Sequence, residues 1–151
     1  MAFAFWINRH RHANLHVVKA VEVQLSKAPS SKDPATNDID TLRSIAYLER
    51  YVIDVIDHGS AQGLGFAYGD MPAHMADEKA APKIAAYVVT LSGRQPTHPE
   101  WVKEGSLLYS SNCGGCHGDD GRGVHGTFPD LTRRPLLGIE RRIRRALSLE
   151  Q

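Results

Sequence analysis

Cys113, Cys116 and His117, within SSNCGGCHGDDGRG, place two thiols three positions apart with an imidazole directly behind the second, and they use both cysteines of the 151-residue chain. Cys-x-x-Cys serves three chemistries. A thioredoxin-like redox pair follows a strand in a βαβ setting, and no such setting surrounds these residues. A structural zinc site needs four ligands, hence a second Cys or His pair at matching spacing. Covalent haem attachment has Cys-x-x-Cys-His as its signature. Two thioethers then clamp the vinyl groups on one edge of the macrocycle, and the next residue lies under the iron, so His117 supplies the proximal imidazole. Haem attachment accounts for both cysteines at once. A bare thiol pair and a small zinc protein stand as alternatives.

Neighbouring patterns carry less. GRGVHG, residues 121–126, spells G-x-G-x-x-G but follows no strand and opens no helix, so it reads as a flexible loop rather than a phosphate cradle. The carboxylates of GDDGRG lack the ligand ladder of a calcium loop. His10, His12 and His16 form the only other histidine cluster and read as solvated side chains of a loose terminus.

The elements that must position the motif are helical. Leu42, Ile45, Leu48, Val52, Val55 and Ile56 recur at helical spacing, so the pattern predicts a helix over 41–58, capped by Asp38 or Asp40 and stopped at Gly59. A glycine-rich loop follows over 59–73. A second helix is predicted over 77–91, with Ile84, Tyr87, Val88 and Leu91 on one face, and SGRQPTHP breaks it. A third is predicted over 100–110 and a last over 136–149. In the last, Leu137, Ile143, Ala146 and Leu147 face inward and Arg141, Arg142, Arg144 and Arg145 outward. No strand alternation of useful length occurs, so the class is all-α with long loops. Residues 1–40 are weakly patterned, and SKAPSSKDPATND reads as a linker. They form a loosely ordered N-terminal segment ahead of one domain over 41–151.

Composition narrows the partners. Hydrophobic residues make up 42% of the chain, enough for a core, and a net charge of +1 gives no reason to expect a nucleic-acid partner. No apolar run is long enough to cross a membrane, so any membrane association is expected to go through a partner. The apolar opening MAFAFWI is short and precedes its charges, unlike a secretory signal.

From Gly105 onward the chain resembles a class I c-type cytochrome. Gly105 and Tyr109 match the opening helix, Cys-x-x-Cys-His-Gly and Gly-x-Gly follow, and Pro129-Asp130-Leu131 comes next. The resemblance implies that the carbonyl of Pro129 accepts the ring N–H of His117, and that Leu131 packs on the haem. Upstream, YGDMPAHMADEKAAPKIAAYVVTLSG resembles the closing part of such a domain. There Met71 matches the distal thioether ligand and Tyr87 the tyrosine that packs on the opening helix. Segment 59–93 thus resembles the family's C-terminal half and 100–132 its N-terminal half. This inverted order is similar to the joint between the two cytochrome domains of the dihaem subunit of cbb-type oxidases; a circularly permuted single domain would have it too. Either way one haem c per chain is implied, ligated by His117 on one side; Met71, in its Met-Pro-Ala motif, is the first candidate for the other ligand, with His74, Met75, a partner or water as the alternatives. Phe66, Tyr68 and Phe128 would help wall it.

The implied role is one-electron transfer in a respiratory chain, with a redox protein or oxidase subunits as partner and a periplasmic location. It is an electron carrier's role, not an enzyme's. The arginines of the last helix, with Arg122, Arg133 and Arg134, would steer an acidic partner. A haem-free fragment of a larger oxidase or dehydrogenase subunit is the second reading.

Overall fold

The computed structural model describes residues 38–60 and 69–149. The N-terminal linker, the three N-terminal histidines, Phe66 and Tyr68 lie outside the described residues. Six helices and no strand occur among the described residues: α1 Ile39–Arg43, α2 Ile45–His58, α3 Ala80–Leu91, α4 Val102–Asn112, α5 Gly114–His117 and α6 Leu137–Leu149. The all-α expectation holds. Two short 3-10 turns, Pro99–Trp101 and Val124–Gly126, complete the regular structure.

The first expected helix is two. Ser44 adopts an extended conformation, φ −69° and ψ 154°, between α1 and α2. Its hydroxyl accepts the Tyr47 N–H at 3.1 Å and donates to the Thr41 carbonyl at 2.8 Å. A serine that offers the chain a cap competes with helix continuation, so the apolar periodicity runs across a break it cannot reveal. At the start of α3, Asp77 performs the same service, accepting the N–H groups of Lys79 and Ala80 at 2.8 Å each.

α3 is the centre of the domain. Ala81, Ile84, Ala85, Ala86, Val88 and Val89 are each no more than 3% exposed. A helix that is apolar on most faces needs neighbours on more than one side, and α3 packs against both α2 and α4. The α3–α4 crossing is close because Gly105 has no side chain. A Cβ there would lie 2.0 Å from the Lys83 carbonyl oxygen. Beside it the rings of Tyr87 and Tyr109 tilt against each other with centroids 5.0 Å apart.

α6 buries Gly138, Ile139, Ile143 and Ala146. Leu147, expected inward, is 44% exposed; Ile139 occupies the stripe instead. Arg142, expected outward, turns back to α2, where its guanidinium donates to the Tyr47 hydroxyl and lies 5.3 Å from the Tyr51 ring centroid. The connection between α3 and α4 is tied down: Glu49 on α2 accepts from the N–H and the hydroxyl of Thr97 at 2.8 and 2.6 Å.

Candidate haem site

One cavity, about 1250 Å³ including the part open to solvent, lies between α2, α3, α4 and the loops around them. Cys113, Cys116, His117, Met71, Pro129, Leu131 and Tyr109 all line it. Tyr87 does not; it stands behind Tyr109. The rest of the wall is largely apolar, with Tyr51, Val52 and Ile56 from α2, Ile84 and Val88 from α3, and Phe128 from the loop before Pro129.

α4 delivers the cysteine motif. Cys113 is its C-cap, and the chain turns at once into α5, whose last residue is His117. The Tyr109 hydroxyl donates to the Gly118 carbonyl at 2.8 Å, which pins the exit of this turn to α4. Cys113 is buried and Cys116 exposed. Burial, helped by the neighbouring Cys116, pushes the Cys113 thiol up to about 11. A thiol in that state is not a thiolate at neutral pH and makes a poor redox nucleophile.

His117 is 8% exposed. Its Nδ1 lies 3.1 Å from the Pro129 carbonyl oxygen. A carbonyl can only accept, so Nδ1 carries the proton and the neutral ring keeps its lone pair on Nε2. Burial lowers the His117 pKa below the ordinary value, against the opposing pull of the Pro129 carbonyl. Orientation and protonation state thus both suit a ligating imidazole.

The loop that brings Pro129 over His117 is held at several points. Gly123, at φ +79°, donates its N–H to the His117 carbonyl at 2.7 Å, and a Cβ on it would lie 2.2 Å from the Phe128 carbonyl oxygen. Leu131 N–H donates to the Gly121 carbonyl at 2.7 Å. The segment expected to be a flexible loop therefore includes a fixed crossing that needs glycine. Asp130 closes an Asx turn, accepting from Thr132 N–H and hydroxyl at 2.8 and 2.7 Å.

Met71 enters from the opposite part of the chain on a segment strapped to the end of α2. His74 N–H reaches the Asp57 carbonyl at 3.3 Å and Met75 N–H the Ile56 carbonyl at 3.2 Å. Met75 also lines the cavity. Residues the sequence did not single out complete the site, Ser60, Asn112, Leu136 and Gly138, together with Leu137, which was expected inward.

The fit to a haem rests on the donor set. Two thiols at one side, a neutral imidazole held in one tautomer, a thioether in the same cavity and an apolar wall match what a covalently attached haem requires. Among the described residues, no group of three or more His, Cys, Asp or Glu side chains is placed to share a metal ion. The zinc alternative therefore finds no ligand set there.

Residues 102–144 match the family described as Cytochrome c. The chain is 40% identical over 79 residues to the cbb3-type cytochrome c oxidase subunit CcoP of Helicobacter pylori, covering 50% of this chain and 27% of that protein. It is 37% identical over 68 residues to CcoP of Rhodobacter capsulatus, covering 42% of this chain and 23% of that protein. The chain thus spans about a quarter of the length of these curated relatives. No solved structure matches it significantly. Motif, cavity and similarity point the same way: residues 102–144 are similar to the Cytochrome c family, and about half of the chain is similar to part of the cbb3 oxidase subunit.

Proposed function

We propose that the chain holds one covalent haem c and carries single electrons in a respiratory chain, beside the subunits of a cbb3-type oxidase on the periplasmic side of the membrane. The observation that carries this reading is that a single apolar cavity collects Cys113, Cys116, His117 and Met71. When bound, the haem supplies a one-electron iron couple whose potential a His–Met ligand pair raises. The chain's own residues do the rest. Cys113 and Cys116 anchor one edge, and His117 presents Nε2 because Pro129 holds Nδ1–H. Met71, in the same cavity, would offer its sulfur as a further ligand. The apolar wall keeps water out, and exposed Cys116 marks the edge open to a partner. Residues 41–151 act here as one cytochrome domain in permuted order, with 92–99 joining the family's two terminal helices. No helix among the described residues is long and apolar enough to cross a membrane.

A second reading, the joint of two tandem domains, is favoured by one observation. The 79 residues similar to the Helicobacter subunit extend beyond the stretch 102–144 that matches the family. In that reading Met71 belongs to the first domain and does not ligate the iron at His117.

The test is expression in a host with cytochrome c maturation. The purified protein should give a haem-stained band on a denaturing gel, and the band should vanish in a Cys113→Ala, Cys116→Ala double variant. A colourless wild-type protein from a competent host would sink the proposal.

A further inference from the structure

We infer that Ser60, outside every motif that marks the site, is the positioning residue that presents Met71 to the cavity. The inference rests on the proposed role of Met71 as a ligand. Ser60 is 9% exposed and itself lines the cavity. Its hydroxyl accepts the Met71 N–H at 2.7 Å, and its own N–H donates to the Met71 carbonyl at 3.0 Å. One residue thus occupies both backbone polar groups of Met71. The Ser60 hydroxyl also lies 3.5 Å from Asp70 Oδ1, the orientation in which it donates there and accepts from Met71.

The approach of the two segments depends on Gly59. At φ +81°, a Cβ on it would lie 2.6 Å from the Met71 carbonyl oxygen and 3.1 Å from the Ala73 nitrogen. Gly59 therefore admits Met71, and Ser60 fastens it. With its backbone held at N–H and C=O and followed by Pro72, Met71 keeps little freedom except in its side chain. A ligand fixed before binding loses less entropy when it binds. Release of the hydroxyl bond lets the sulfur leave its place more often, without removing the sulfur.

The experiment compares haem-loaded wild type, Ser60→Ala, Met71→Ala and the double variant by redox titration and by carbon monoxide uptake of the ferrous protein. Ser60→Ala should lower the potential and raise the carbon-monoxide-reactive fraction about fivefold, the population change that one neutral hydrogen bond is worth. In the Met71→Ala background the same change should alter neither quantity. A potential shift that persists without Met71 would overturn the inference, as would a wild-type potential and uptake in Ser60→Ala. If Met71→Ala itself changes nothing, the ligand assignment fails first and this inference falls with it, an outcome distinct from the other two. Should Ser60→Ala not accumulate, Ser60→Thr and Ser60→Val form an equal-volume pair that differs in the hydroxyl. The threonine variant should take up less carbon monoxide than the valine variant, and equal uptake would refute the role.

Discussion

His117 and Gly105 show how much single positions decide here. His117 is fitted for ligation by one carbonyl, since Pro129 fixes its tautomer and burial keeps it neutral. Gly105 acts by what it lacks. A methyl group there would meet the Lys83 carbonyl oxygen at 2.0 Å and the Tyr87 Cβ at 3.2 Å, and helix backbone cannot yield as a flexible side chain can. Alanine is the better helix former, so local propensity alone would make Gly105→Ala stabilising. The packing argument predicts the reverse: a loss of about 3 kcal/mol, measured as a lower denaturant midpoint, because overpacking a tight crossing forces the helices apart. A neutral or raised midpoint would mean that α3 and α4 do not cross at this glycine.

At the scale of the element, α2 carries an unfavourable charge near its end. Asp57 lies in its last turn, where a carboxylate opposes the helix dipole. Burial raises its pKa above the ordinary value, outweighing the lowering pull of His58. A carboxyl with a raised folded value keeps its proton longer in the folded state. Its ionisation therefore costs stability at neutral pH, and that cost fades as pH falls through the folded value and is gone below the unfolded one. Asp57→Asn should stabilise the protein by about 0.5 kcal/mol at pH 7 and by nothing near pH 3. Urea unfolding at the two pH values checks both the sign and the disappearance. The backbone bond from His74 to the Asp57 carbonyl survives the substitution, so the strap that carries Met71 is left in place.

Across the whole molecule, the joint between α3 and α4 decides whether the two halves of the site meet within one chain. It is short and anchored, with Thr97 held by Glu49. The α3–α4 contact itself rests on Gly105 and the two tyrosines, which the joint does not supply. Inserting six Gly/Ser residues between Gln95 and Pro96 should therefore cost less than about 1 kcal/mol of loop entropy. The insertion should leave the elution volume in size-exclusion chromatography that of the same oligomeric state as the wild type, and the protein should melt in one cooperative step. Conversion to a dimer on insertion, or loss of the cooperative step, would show that the halves pair between chains.

The sequence by itself determined the all-α class, three of the helices to within a few residues, and the presence of the Cys-x-x-Cys-His motif. Those signals are local: apolar period, capping residues, and a spacing that reads the same wherever the chain goes. Tertiary structure alone decided the rest. Serine at position 44 reads as an ordinary polar helix residue until its hydroxyl is seen capping α2. Leu147 and Ile139 both fit an apolar stripe, and only the docking of α6 chose between them. The motif order left open whether Met71 and His117 share a site, because residues 46 positions apart carry no mark of their distance in space. Their common cavity follows from α3 crossing α4 at Gly105 and from the strap on α2, and contacts between distant segments are not written in any local pattern.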